Sequence, residues 1–115
     1  MSRGSRVWLE DILESIRRID AFTEGMTVER FRSDLLAQDA VIRNLEVIGE
    51  AAKKIPESLR ATHSSIPWPR VAGLRDLLIH EYFGIDLEIV WNVVGEHLPP
   101  LRDEVVRMLD EIRES

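Results

Sequence analysis

Apolar side chains recur every three or four residues along most of the chain, and this spacing predicts helices. In the first segment they predict one amphipathic helix from about residue 6 to 23. The stripe consists of Trp8, Leu9, Ile12, Leu13, Ile16, Ile19 and Phe22. Gly25 ends this helix, and Thr27 is a suitable N-cap for a short helical turn after it.

The same period continues from Leu35 to Ile55 and predicts a second, long helix. Its apolar positions are Leu36, Ala40, Val41, Leu45, Ile48, Ala51, Ala52 and Ile55. Ser33 or Asp34 is placed to cap the first turn. Pro56 ends the helix because proline has no backbone N–H and its ring blocks the preceding turn.

Prolines mark the borders of the remaining helices. Pro67-Trp68-Pro69 is typical of a helix start, and the helix after it is predicted to end near Phe83-Gly84. Asp86 caps a further helix, and Pro99-Pro100 is predicted to break the chain and start the last one. No segment alternates apolar and polar residues as a strand does. We therefore predict one domain over residues 1–115, an all-α, up-and-down bundle of four to five main helices.

Composition and charge narrow the function classes. The chain has no cysteine, which excludes disulfides, thiolate metal sites and cysteine nucleophiles. Its start carries no apolar secretory segment and its apolar runs are short, so we expect a cytoplasmic protein without membrane contact. The net charge of −6 argues against generic nucleic-acid binding. Residues 43–75 nevertheless carry six basic against three acidic side chains. They either face an anion or are scattered, solvated groups.

Chemically capable side chains concentrate in one otherwise apolar stretch, Arg75-Asp76-Leu77-Leu78-Ile79-His80-Glu81-Tyr82. On a helix with about 100° per residue, Arg75 and Tyr82 lie on the core-facing stripe, whereas Asp76 and His80 lie on the opposite side. Asp76 and His80 are four residues apart, so the carboxylate can orient the imidazole and favour its protonated form.

Arg75 on a core-facing stripe needs a partner, since an unpaired buried charge is costly. In a structural interpretation it pairs with Glu46 or Glu50 of the long helix. In a functional one it acts with His80, but five residues rotate an ideal helix by about 140°. A helix that loosens near His80 would resolve this, and so would a homodimer.

Leu77 and Gly73 favour the homodimer, because they form apolar surface that a second copy would cover about a two-fold axis. Such packing brings two copies of Arg75, Asp76 and His80 into one cleft. The helical wheel therefore favours a site that two chains build together.

A histidine that moves protons and an arginine that holds phosphate suit the cleavage of RNA. The 2′-hydroxyl then attacks the adjacent phosphodiester, and no metal is required. Metal ligation is the weaker alternative, because His63, His80 and His97 are far apart and form no His-x3-His or Glu-x-x-His pair. No Gly-rich phosphate loop is present, and we predict neither a metal nor another cofactor.

The motif Arg75-x4-His80-x-Tyr82, with a polar residue directly after the arginine, resembles the signature of HEPN-domain toxins. More narrowly, it is similar to the HepT-like toxins that are paired with a minimal nucleotidyltransferase (MNT) antitoxin. The segment 39–51 is similar to the long helix of that family, and Ile66-Pro67-Trp68 is similar to its lead-in to the motif helix. Residues 86–91 resemble the family's segment after the motif helix, so the resemblance covers nearly the whole chain.

This resemblance implies an all-α, HEPN-like homodimer that is the toxin of a type II-like or type VII toxin–antitoxin system. It implies a metal-independent endoribonuclease that cuts cellular RNA. Arg75 and His80 take the catalytic positions, and Asp76 takes the supporting polar position, where many relatives have asparagine. An acidic residue there opposes phosphate binding unless it orients His80. Tyr82 takes the position that accepts AMP from the antitoxin, a modification that silences the toxin.

Two other function classes fit the sequence. One is a non-catalytic helical module that binds nucleotide or a nucleotidyltransferase partner and cuts nothing. Residues 76–115, with three basic against ten acidic side chains, favour a contact other than RNA. The other is a helical dimer without chemistry.

Overall fold

Helices make up nearly all of the chain that the structure describes. The computed structural model describes residues 3–80 and 86–114, with the backbone alone for residues 3, 75–80 and 114. The helices are α1 (Arg3–Thr23), α2 (Val28–Ser33), α3 (Leu35–Lys54), α4 (Glu57–Ala61), α5 (Trp68–His80), α6 (Leu87–Asn92) and α7 (Leu98–Glu114). The described ranges contain no strand, which confirms the predicted all-α class. None of the described helices is long and apolar enough to cross a membrane.

Side-chain caps begin three of these helices at the predicted residues. The Arg30 N–H donates to the Thr27 hydroxyl at 3.1 Å, and the Ala37 N–H donates to the Asp34 carboxylate at 3.0 Å. The Asp86 carboxylate accepts from the Glu88 N–H at 2.9 Å. Each cap satisfies an N–H that has no partner inside its own helix.

The predicted break at Pro99-Pro100 is wrong. Both prolines lie inside α7, and the π-helical turn Val93–His97 joins that helix to α6 without a break. The Leu98 N–H donates to the Val93 carbonyl, five residues earlier. In an α-helix a proline ring collides with the carbonyl four residues before it. A π turn widens the backbone just ahead of the prolines, so the chain stays helical.

The core forms where α3 packs between α1 and α5, while α7 packs against α1. In α1, α3 and α7 the most buried apolar side chains are Leu9, Ile12, Ile16, Ile19, Val41, Leu45, Ile48, Ala52, Val105 and Met108. Two predicted core positions are wrong, since Leu36 is 82% exposed and Phe22 is 46% exposed. The buried face of α3 starts one residue later, at Ala37, and one residue rotates a helix by about 100°.

Candidate functional site

Helix α5 carries three of the four predicted site residues. Arg75 and Asp76 lie in its second half, and His80 is its last residue. The backbone is α-helical over that whole span, so positions 75 and 80 lie about 140° apart around the helix axis. The side chains of these three residues, and all of Tyr82, lie outside the described residues. Their predicted roles and mutual contacts therefore stay predictions.

The first half of α5 is set firmly against the core. Trp68 is 3% exposed and Val71 is 9% exposed, and both belong to the same apolar cluster as the inner face of α3. Leu74 packs against that cluster and is partly buried. The core-facing stripe that the sequence predicts for this helix is thus confirmed up to the residue before Arg75.

A buried ion cluster fixes the point where α5 begins. The indole N–H of Trp68 donates to the His63 carbonyl at 3.0 Å. The His63 ring is itself buried, with its Nδ1 against the Glu104 carboxylate and its Nε2 3.0 Å from Glu111 Oε2. Because Glu104 and Glu111 lie on α7, the connector that leads into α5 is fastened to the far end of the chain.

Charge stabilises this cluster. Hydrogen bonds from His63 and then from Arg107 hold the pKa of the Glu104 carboxyl below its ordinary value, although burial acts the other way. The Arg107 Nη2 lies 2.5 Å from Glu104 Oε1. Both ring nitrogens of His63 lie within hydrogen-bond distance of carboxylates. The cluster therefore joins His63, Glu104 and Arg107 in one hydrogen-bonded set around a buried carboxylate.

The carboxylates considered as structural partners of Arg75 both lie on the side of α3 next to α1. Glu46 and Glu50 line a groove with Trp8 and Asp11 of α1. Glu46 also lies 4.0 Å from the Arg43 guanidinium. The structural interpretation of Arg75 stays a prediction, since it depends on a side chain outside the described residues.

The outward side of α5 is open at Gly73. A Cβ placed on this residue would meet no heavy atom of the described chain within 4 Å. Gly73 lies on the side of the helix that the wheel assigns to Asp76 and His80. Another helix can approach the α5 backbone closely here.

Two features near the site had no local signal in the sequence. His63 pairs with carboxylates 41 and 48 residues further along the chain, so no spacing rule connects them. The π turn depends on how two prolines are accommodated in a packed helix. Among the described residues, no group of three or more histidine or acidic side chains is arranged to hold a metal ion.

Comparisons with known proteins agree on one family. The family model described as "Ribonuclease HepT-like" matches residues 12–108. The "Probable ribonuclease HepT" of Thermococcus cleftensis is 44% identical over 108 residues, which cover 94% of this chain and 98% of that protein. The "Gamma-glutamylcyclotransferase and putative RNase" of Methanocaldococcus jannaschii is 40% identical over 97% of this chain. This chain spans only 50% of the length of that second relative.

A solved structure supports the same assignment. It is described as the crystal structure of a toxin–antitoxin with AMP-PNP, and it matches with a TM-score of 0.68 and 25% identity. The match covers 99% of this chain and 100% of the compared chain. The predicted resemblance and the predicted endoribonuclease class are confirmed at the level of the family. The chain belongs to the ribonuclease HepT-like family.

Proposed function

We propose that this chain is the RNase toxin of a toxin–antitoxin system and that two copies of it complete one RNA-cleaving site at their interface. The observation that carries the proposal is the family match over residues 12–108, which includes the Arg75-x4-His80 motif on helix α5. RNA is the substrate, and the cognate nucleotidyltransferase antitoxin is the partner that controls the site.

The chemistry needs only a proton carrier and a cation. His80 takes the proton from the 2′-hydroxyl, whose oxygen attacks the adjacent phosphorus, and the bond from phosphorus to the 5′-oxygen breaks. The protonated His80 then gives this proton to the leaving oxygen. Arg75 stabilises the negative charge that builds on the phosphate. Asp76 orients His80, a role that occupies the carboxylate and limits its repulsion of RNA.

The dimer is inferred from the geometry of α5. Positions 75 and 80 lie about 140° apart around one continuous α-helix, so one helix does not direct both at one phosphate. Packing α5 against its copy across the open side at Gly73 places the two His80 positions at one interface, and we propose that the long side chain of Arg75 reaches the same cleft from its edge. Sedimentation at micromolar concentration is expected to give a dimer. A monomer under those conditions contradicts the composite site.

The RNase activity is tested with purified protein, cellular RNA and excess chelator. We expect cleavage by the wild-type protein, and loss of cleavage in Arg75→Ala and His80→Ala with helicity retained by circular dichroism. Arg113→Ala is the matched control, because Arg113 is an exposed arginine on α7 that lies 3.9 Å from the Asp110 carboxylate. If the folded wild-type protein cuts no RNA, the non-catalytic binding module becomes the better account, with the acidic residues 76–115 as its contact surface.

We propose further that the antitoxin silences the toxin by adding AMP to Tyr82. The similar toxin–antitoxin structure contains an ATP analogue, which supports a nucleotide-dependent step in that system. Mass spectrometry after incubation with the cognate nucleotidyltransferase and ATP is expected to show one added AMP on Tyr82. Tyr82→Phe is expected to stay unmodified and toxic. AMP on any other residue contradicts the role of Tyr82.

A further inference from the structure

A groove lies between α5 and the π turn, directly before the motif. It has a volume of about 150 Å³ and is lined by Pro67, Arg70, Val71, Leu74, Val93 and His97. Apolar side chains form most of its walls, and the two side chains that can carry positive charge, Arg70 and His97, are exposed. An apolar groove with two basic side chains contrasts with the net charge of −6 of the whole chain.

Two other grooves of the molecule differ from this one in the charged side chains that line them. The groove between α1 and α3 is lined by Asp11, Glu46 and Glu50 with one arginine. A groove beside Trp91 is lined by Glu88 and Glu96, again with one arginine. Among the described residues that line the groove at α5, by contrast, there is no carboxylate. The described lining of this groove therefore repels an anion less than the lining of either of the others does.

The π turn places its histidine and its glutamate in different grooves. Val93 and His97, its first and last residues, both line the groove at α5. Gly95 and Glu96, between them, line the groove beside Trp91 instead. The turn thus directs a histidine towards α5 and the neighbouring carboxylate away from it. π-helical turns are found frequently at functional sites.

The groove is also close to the proposed chemistry. Val71 and Leu74 belong to the same helix as the motif, and Leu74 directly precedes Arg75. With a rise of 1.5 Å per residue, Val71 and Arg75 are about 6 Å apart along the helix axis, and the wheel places both on the core-facing stripe. A nucleotide in the groove would therefore neighbour a phosphate held by Arg75.

We propose that this groove is a subsite for one nucleotide of the RNA next to the cleaved bond, an inference that rests on the proposed RNase function. The base packs between Leu74 and Val93, and the limited volume leaves sugar and phosphate at the rim. Arg70 and His97 hold that phosphate. Such a contact positions the strand and raises affinity, while the reaction itself remains with the motif on α5.

Binding and cleavage are measured separately so that the two proposals can fail separately. Binding uses a fluorescent 2′-O-methyl RNA, which lacks the attacking hydroxyl, and is followed by anisotropy at several salt concentrations. Arg70→Gln and His97→Gln are each expected to weaken binding about three- to tenfold, and Arg70→Gln to reduce the salt slope by about one. Val93→Phe, which fills the groove and keeps its charge, is expected to weaken binding as well. Arg113→Gln is the charge-matched control and is expected to bind like the wild type.

In cleavage assays of ordinary RNA, the same variants are expected to raise KM and leave kcat nearly unchanged. Wild-type binding without cleavage would overturn the proposed function and leave the subsite intact if the groove variants bind more weakly. Cleavage by the wild type together with unchanged binding by Arg70→Gln and His97→Gln would overturn the subsite alone. No binding of the 2′-O-methyl RNA by the wild type would also overturn the subsite.

Discussion

Replacing His63 with alanine removes the ring that fastens the start of α5 to α7. The ring is 7% exposed, and it contacts Glu104 through one nitrogen and Glu111 through the other. The Glu111 side chain is 62% exposed, so its contact with His63 contributes little in water. The loss therefore falls on the buried contact with Glu104.

The magnitude depends on the partners that Glu104 keeps. Breaking a buried ion pair by removing one partner costs about 3–5 kcal/mol when the other charge is left alone. Glu104 keeps its hydrogen bonds from Arg107, so we expect a smaller loss for His63→Ala, about 2–3 kcal/mol. For a chain of 115 residues, 1 kcal/mol corresponds to roughly 4 °C in Tm, which gives a decrease of about 8–12 °C.

Urea unfolding followed by circular dichroism at constant protein concentration measures this loss. His63→Gln, which keeps one hydrogen-bonding group, is expected to lose about 1 kcal/mol. His97→Ala is the matched control, because His97 is exposed, and we expect its free energy of unfolding to change by less than about 0.5 kcal/mol. If His63→Ala unfolds at the same urea concentration as His97→Ala, the cluster does not stabilise the start of α5.

Three further predictions concern single positions. Glu104→Gln is expected to be less stable than the wild type near pH 7. The pKa of Glu104 in the folded protein lies below its ordinary value of 4.5, so the carboxylate stabilises the fold above that pH and loses this effect as pH falls. The free energies of unfolding of the variant and the wild type are therefore expected to converge from pH 7 to 3 in denaturation experiments. A constant difference contradicts the ion cluster. Asp34→Ala removes the N-cap of α3 and is expected to cost about 1 kcal/mol in urea unfolding, whereas Asp39→Ala within the helix should not. Gly73→Glu places two like charges across the proposed two-fold axis, so sedimentation is expected to show a monomer that keeps its helicity by circular dichroism; a dimer of normal affinity contradicts packing at this face.

The elements that sequence reasoning predicted well are those with local causes. The stripe of α1 and the caps at Thr27, Asp34 and Asp86 each depend on residues a few positions apart, and the structure has them where they were expected. The errors at Leu36 and Phe22 lie in the first turn of α3 and the last turn of α1, where the apolar period continues although the side chains are exposed.

The rest depends on interactions that spacing does not encode. At Pro99-Pro100 the proline rings favour a break, whereas the packing of α6 and α7 favours a continuous helix. The sequence reveals only the first of these two effects. His63 finds its carboxylates on a helix that starts 35 residues later. The candidate site was predicted from the motif and the helical wheel, but the wheel gives directions around one helix and not the position of a second chain.

Mixing two inactive subunits tests the composite site most directly. Arg75→Ala and His80→Ala chains are prepared separately, unfolded together and refolded as a mixture. A wild-type dimer contains two pairs in which one chain supplies Arg75 and the other His80, and each mixed dimer keeps one of them. Because about half of the dimers in an equal mixture are mixed, the mixture is expected to recover about a quarter of the wild-type RNase activity. Each variant refolded alone is expected to stay inactive. An inactive mixture in which mixed dimers are shown to have formed would contradict a site built by two chains.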